Sequence, residues 1–508
     1  MGIMKALKHF VGDDWGVHPA DHKRPVADLP SRRLPLPERV HLMLAQHVGA
    51  PARPVVLVGQ KVKKGEMIAA AHGNISAPVH ASTSGTISAI GEITAAHSSG
   101  LPGMAITIDV DGEDAWIESD PVADPFALSP AEIAARVAAA GVVGLGGATF
   151  PSSVKLNLGR RSGIDTLIVN GSECEPYLSC DDRLMRERGA DIVSGIRLML
   201  MATGAAQAKV GIEDNKPEAI ASMRGAAAAF AEVAIVPVPA RYPMGSDRQL
   251  IVELSGREVP SDARAADVGV IVHNVATACA AHQAVALNRP LVERMMTLNG
   301  GAAVAPGNYE VLLGTLVSDL ITLSGGSKGE VARLIMGGPM MGVVLPHARV
   351  PVVKGSSGIL LLDAGEAAAV EPQACIRCGS CVKSCPMGLL PLEMSARIRH
   401  DDLDAAVDLG LSDCIACGCC AYVCPSHIPL VQYFYHAKGE LSARQRAQLR
   451  GEATKKMALA RQQRLEREDR EKAAAAARRK AERAAQQSAP KAAVVAATRL
   501  PEQAGESA

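Results

Sequence analysis

Between residues 160 and 290, short apolar runs alternate with longer stretches whose apolar residues recur at helical spacing. TLIVN (166–170), AKVGIE (near 208–213) and VAIVPV (near 233–238) read as buried strands. Residues 189–203 and 216–230 read as the helices between them. VGVIVHNVATA predicts a further strand, closing on the polar residues His273, Asn274 and Thr277. Strand and helix in regular alternation predict an α/β sheet. Ahead of it, Ser129-Pro130-Ala131-Glu132 opens a helix. Ser caps, Pro takes the first turn, Glu132 completes a capping box, and AEIAARVAAA runs to a stop at Gly141.

The pattern changes towards both ends. Residues 1–120 are strand-rich. From about residue 443 core residues thin out. RQQRLEREDREKAAAAARRKAERAAQQ predicts a solvated helix that fades near Pro490.

A chain of 508 residues exceeds one ordinary core, so several domains are expected. Lys+Arg and Asp+Glu both number 53, which gives bulk electrostatics no reason to favour nucleic acid. MGIMKALKHF lacks the apolar stretch of a signal peptide, and its sixth residue, Ala, departs from the myristoylation pattern. No breaker-free run of about 20 apolar residues predicts a spanning helix.

Eight of the 12 cysteines fall in two runs, CIRCGSCVKSCP from Cys375 and CIACGCCAYVCP from Cys414. Cys375, Cys378, Cys381 and Cys385 map onto Cys414, Cys417, Cys420 and Cys424 at a constant offset of 39, an internal duplication. Clustered cysteines favour a reducing compartment over a disulfide framework. C-x2-C-x2-C places three thiolates on a tight loop that grips three corners of a cubane. The fourth cysteine, followed by Pro, points to the other cluster. Cys375, Cys378, Cys381 and Cys424 are therefore expected to hold one [4Fe–4S] cluster, and Cys385, Cys414, Cys417 and Cys420 the other. Zinc motifs come as separated C-x2-C pairs, which this is not. Cys419 reads as packing. Two clusters in series form a path for single electrons, and something must feed it.

GVVGLGGATFPSSVKL (141–156) offers the feed. Gly144, Gly146 and Gly147 admit close backbone approach, their N–H groups can face a phosphate, Phe150 gives a stacking face and Lys155 a positive charge. The spacing G-x-G-G is not the dinucleotide fingerprint, and alone it equally describes a structural turn. TLIVN then runs into GSECEPYLSCDDR. Polar groups bunched past the carboxyl end of an α/β strand lie where ligands bind. Asn170, Ser172, Glu173 and Glu175 could hydrogen-bond a flavin edge, a ribose or a nicotinamide. Cys174 and Cys180 read as passive, and His273 as a satisfied helix-start residue.

Taken in order, GLGGATFP with Lys155, NGSECEP, YPMGSDRQL, HNVATA, GGPMMG and the duplicated cysteine module closely resemble the C subunit of the Rnf electron-transport complex, called Rsx in some bacteria. The resemblance covers nearly the whole chain. The flavin part is also similar to the NADH-binding flavoprotein subunit of respiratory complex I. It implies FMN contacts at Gly144, Gly146, Gly147, Lys155, Asn170, Ser172 and Asn274. NADH would stack near Phe150 and reach Glu173 and Glu175. There are departures. The complex I pattern has Arg, Gly and Asp where Leu145, Thr149 and Ser172 stand, and the Rnf pattern has Gly where Ser246 and Ala276 stand.

The expected architecture is a multidomain α/β chain. It comprises a lipoyl-like barrel over 1–120, a Rossmann-like FMN/NADH domain over 127–290, and a β-grasp ligand-binding module over 298–345. An α-helical dicluster ferredoxin domain over 366–440 and a charged tail over 443–508 complete it. VLVGQKVKKGEMIAA and ISAPVHASTSGTISAI look like the halves of the barrel, but the hairpin AAHGNISAP between them has no lysine to modify. GGPMMG reads as a turn closing its module, with a contact to the flavin or the cluster domain as the alternative. The resemblance implies integral membrane and ferredoxin-like partner subunits, coupling to Na+ or H+ transport, and a peripheral place on the cytoplasmic face of the bacterial inner membrane. It implies no general base, since the cofactors carry the chemistry. Two rivals remain: an NADH-dependent cobalamin reductase, and an electron relay with a decayed flavin site.

Overall fold

The computed structural model describes residues 15–159, 162–368 and 370–488. The reading of MGIMKALKHF and of the chain beyond Pro490 lies outside these residues. The chain divides into two compact units at Tyr435. The second is the continuation of one helix, Leu430–Gln487, exposed throughout from Ser442 onward, as its charged composition predicts.

In the first unit the strand-rich N-terminal region forms two small antiparallel sheets. One orders Arg39–Met43, Pro102–Val110, Gly85–Thr94 and Lys61–Val62; the other orders Arg53–Pro54, Met67–Ala70 and Val79–His80. Val40, Leu42, Ile68, Ile87, Ile106 and Ile108 are fully buried in their core. This region is tied down by a buried lysine from elsewhere. Lys354 Nζ donates to Pro78 O (2.8 Å) and to Gly141 O (2.7 Å), and burial pushes its pKa down to about 7.

The central sheet is parallel, in the order Val233–Val238, Gln207–Glu213, Thr166–Asn170, Val270–Asn274. Helices Gly189–Thr203 and Pro217–Ala227 lie at the predicted places, and Gly204 closes the first in the left-handed conformation. The Ser129–Glu132 capping box is formed, and its helix spans Pro130–Ala139. From Thr166–Asn170 the chain winds outward to Val233–Val238, then returns to lay Val270–Asn274 on the other side. That reversal is the point of an open α/β sheet where ligands bind, beyond the strand carboxyl ends. Asn170 and Asn274 face each other there in register.

A mixed sheet follows, ordered Arg32–Arg33, Gly307–Leu312, Glu293–Asn299, Gly358–Leu362, Arg333–Met336, Val343–Val344, with helix Val317–Leu323. It extends past the expected 298–345 at both ends, because Gly358–Leu362 pairs with both Glu293–Asn299 and Arg333–Met336. No strand pattern could foretell that a five-residue run some 50 residues on would complete the sheet.

The cysteine region is two copies of one small motif. Arg377 and Ala416, Gly379 and Gly418, and Gly388 and His427 each pair at offset 39, and all six have positive φ. Short helices Ser380–Lys383 and Cys419–Tyr422 also correspond. The duplication is thus one of backbone as well as of cysteines.

Candidate functional site

The glycine-rich turn folds back on itself. Gly144 N donates to Phe150 O (2.8 Å) and Thr149 N to Gly144 O (3.1 Å). Its tip meets the carboxyl end of the last parallel strand, where a Cβ on Gly146 would stand 3.2 Å from Asn274 Cβ. Gly147 has φ +103° and a Cβ there would meet nothing within 4 Å, so the turn is open on that side. Thr277 Oγ1 accepts from Leu145 N (2.9 Å), and the fully buried Arg294 donates to Leu145 O (3.2 Å). Lys155 Nζ donates to Val272 O (3.0 Å). Gly144, Gly146, Gly147, Phe150, Lys155 and Asn274 are therefore brought together.

Asn170 and Ser172 form the opposite wall. Asn170 Oδ1 accepts from Ser172 N (3.0 Å), and its Nδ2 donates to Gly245 O (2.8 Å). Ser172 Oγ is buried without a hydrogen-bond partner, a hydroxyl available to a ligand. The two acidic residues are placed otherwise. Glu173, at φ +50°, accepts from Asp181 N (2.7 Å) and Asp182 N (3.1 Å) and so caps helix Cys180–Glu187. Glu175 accepts from Met340 N (3.0 Å) and Met341 N (2.8 Å), and burial pushes its pKa up to about 7. Both carboxylates accept from backbone N–H groups beyond the carboxyl end of strand Thr166–Asn170. GGPMMG is the turn that Glu175 clamps. It closes its sheet, as expected, and also reaches the cysteine module, with Met340 O 3.3 Å from where a Cβ of Gly418 would stand.

His273 corrects its reading. It is buried, but neither ring nitrogen has a hydrogen-bond partner, and burial, then Lys155, pushes its pKa down to about 3. A strand interior offers no free backbone group to an inward imidazole, which the sequence pattern could not reveal.

The cysteines separate into two quartets. Cys385, Cys414, Cys417 and Cys420 line one cavity, with Cys419, Met394, Val431 and Phe434. Burial pushes the Cys385 thiol up to about 11, and Cys417 and Cys414 add to it. In the other quartet, burial raises the Cys381 thiol, followed by its neighbours Cys378, Cys424 and Cys375. Cys375 and Cys378 are exposed, whereas Cys417 and Cys420 are buried. Tetrahedral zinc, with sulfurs about 2.3 Å away, needs its sulfurs roughly 3.8 Å apart. Among the described residues, the group of three or more potential ligands within 4.8 Å of one another is Glu173, Cys180 and Asp181, which includes none of the eight. Backbone donors match between the two copies: Arg377 N donates to Cys375 Sγ and Ala416 N to Cys414 Sγ (both 3.4 Å).

Several residues join the two sites, and sequence reasoning missed them. Tyr242, 2% exposed, donates its hydroxyl to Cys417 O (2.7 Å). Cys419 packs beside it, fully buried. Gln249 Nε2 donates to Pro386 O (2.9 Å), and Ser261 Oγ to Asp413. Behind the crevice, Lys216 Nζ donates to Ser172 O (2.6 Å) and pairs with Glu213 (2.7 Å), and Lys23 Nζ donates to Glu173 O. A polar residue at a strand end, such as Glu213, was the one available signal; Lys23 lies some 150 residues away in sequence and gave none.

A flavin-type crevice joined to a pair of cysteine quartets defines an electron-transfer protein. The comparisons agree. Residues 137–283 match the Nuo51 FMN-binding domain, 12–113 the RnfC barrel sandwich hybrid domain, 297–344 the SLBB domain and 374–428 the 4Fe-4S dicluster domain. The chain is 51% identical over 431 residues to the C subunit of the ion-translocating oxidoreductase complex of Rhodobacter capsulatus, covering 85% of this chain and 83% of that one. It is 47% identical to the protein of the same name from Pseudomonas aeruginosa, over 89% of this chain and 58% of that one. A chain of an NAD+-reducing [NiFe]-hydrogenase structure aligns over 55% of this chain and 54% of its own, at 20% identity and a TM-score of 0.42. This chain belongs to the family formed by the C subunits of ion-translocating oxidoreductase complexes. It is an oxidoreductase-type subunit whose cofactors are FMN and [4Fe–4S] clusters. Among the described residues no helix is long and apolar enough to cross a membrane.

Proposed function

We propose that this chain oxidises NADH at FMN, or runs that reaction in reverse, and passes single electrons through two [4Fe–4S] clusters to partner subunits of an ion-translocating membrane complex. It is the NAD:ferredoxin type of oxidoreductase, held peripherally on the cytoplasmic face through integral membrane and ferredoxin-like partners. The parallel-sheet region is then a Rossmann-like FMN/NADH domain and the mixed sheet a β-grasp module. FMN is held by Gly144, Gly146, Gly147, Lys155, Asn170, Ser172 and Asn274, and Phe150 stacks near NADH. Bound FMN supplies the change from two-electron to one-electron transfer.

One observation carries the reading. Asn170, in the crevice, bonds the loop whose Tyr242 bonds the backbone of Cys417, in the buried quartet. That quartet, Cys385, Cys414, Cys417 and Cys420, thus takes electrons first. The exposed one, Cys375, Cys378, Cys381 and Cys424, delivers them. The test is anaerobic NADH reduction of FMN-supplemented protein, with flavin bleaching and the cluster EPR signal followed together. Both are expected to respond. Clusters that reduce with dithionite but not with NADH would instead leave a relay whose flavin site has decayed.

A further inference from the structure

Two electrons and a proton leave a reduced flavin by different routes. Clusters accept electrons one at a time and take no proton. Were FMN held here to pass two electrons to the clusters, the proton it carried would need a route to water, and a side chain bordering the crevice could take it first. We propose that Asp181 is that acceptor, and that the cavity behind it carries the proton to solvent; the inference rests on the FMN reading above.

Geometry singles out Asp181. Its Oδ2 accepts from Asn274 Nδ2 (2.6 Å), and Asn274 stands at the sheet's reversal against Gly146. The residue as a whole is half-buried, and it lines the cavity behind the crevice. The other ionisable groups of the crevice are committed. Lys155 bonds Val272 O, Glu173 caps a helix, and Glu175 clamps a turn. Burial and the nearby Glu173 raise the Asp181 pKa, while Asn274, Arg294 and Lys23 oppose the rise. A carboxylate so balanced can gain and lose a proton near neutral pH.

The cavity behind Asp181 has a mixed lining, with Leu184, Ala280, Leu291 and Met295 set among its charged residues. The cavity lies between helix Cys180–Glu187, helix Val275–Ala286 and the mixed sheet. Asp181 and Leu145 lie at the crevice end. Arg188, Gln283, Glu293 and Glu310 also line it, and Arg188, Glu293 and Glu310 are about a quarter to a third exposed. Arg188 and Glu310 pair at 3.1 Å. The charged groups along one side of this lining can hold hydrogen-bonded water. Cys279 also lines the cavity, but burial pushes its thiol up to about 12, which removes it as a carrier.

The experiment is stopped-flow oxidation of reduced, FMN-loaded full-length protein. Flavin absorbance and a pH-indicator dye are recorded together. FMN binding to the wild type is measured first, so that failure of the flavin reading shows itself as no bound flavin. D181N is expected to slow proton release at least tenfold at pH 7. Formate, a small diffusible acid, is expected to restore it, which a merely structural role for Asp181 would not allow. Release from D181N at the wild-type rate overturns the proposal. Should D181N lose FMN, A280L narrows the cavity without altering Asp181 and carries the same test. Slowed release supports the route, and unchanged release overturns it.

Discussion

Lys354 is a charged residue type buried without a counter-ion, and its consequences can be measured. Its pKa is about 7 in the fold, against 10.5 for an unperturbed lysine. Between those values the unfolded chain binds more protons, so stability rises with pH from about 7 to about 10.5. The rise is on the order of 5 kcal/mol. K354M is expected to flatten that rise in a series of melting curves across the interval. It also leaves Pro78 O and Gly141 O unpaired, which costs about 1–3 kcal/mol each. His80 and His273, both pushed to about 3 by burial, act on the acid side. Their unfolded forms bind protons first, so stability falls as pH drops from about 6.5 towards 3. Because both nitrogens of His273 lack partners, H273L is expected to raise the melting temperature at pH 5; no change there would mean that the imidazole is satisfied in solution. At this scale the cysteines and the glycine turn were legible, because their chemistry shows in spacing. Tyr242, Lys216 and Lys23 were not, since their roles depend on which distant backbone group each one meets.

Among elements, the two cysteine motifs offer a controlled comparison. Gly379 and Gly418 occupy equivalent positions with φ of +77° and +83°. A Cβ on Gly379 would meet nothing within 4 Å, whereas on Gly418 it would stand 3.3 Å from Met340 O. Both alanine variants carry about 1 kcal/mol of left-handed strain. G418A is expected to cost more, read as faster cluster loss to a chelator, and equal rates would mean that the junction is looser than it stands here. C420S and C381S should also differ in kind. The first is expected to block NADH reduction of the remaining cluster, while the second leaves the buried cluster reducible, as EPR would report. Secondary structure was largely legible: helix Gly189–Thr203 and strand Val233–Val238 fall where apolar periodicity puts them. The full mixed sheet was not. Pairing between Glu293–Asn299 and Gly358–Leu362 is long-range, and local pattern carries no record of it.

For the whole molecule, a net charge of zero conceals a division. From His436 onward the chain holds 17 Lys and Arg against 9 Asp and Glu, so the two units carry charges of about +8 and −8. A chain ending at residue 440 is expected to keep FMN, both EPR signals and NADH reduction, because the crevice and all eight cysteines lie before it; loss of either cluster signal would show that the tail supports the fold. The order of domains was legible, since each has its own composition. Their joining was not, because it rests on single contacts such as Tyr242 to Cys417. The crossed assignment of Cys385 and Cys424 has a consequence for how the protein is made. On that assignment each motif would lend one sulfur to its neighbour's iron, and neither half could be finished alone. A chain supplied with too little iron should therefore be found filled or empty, with few half-filled copies. Oxygen that strips the exposed cluster would also release Cys424, four residues from Cys420, so that damage at the surface loosens the sheltered partner.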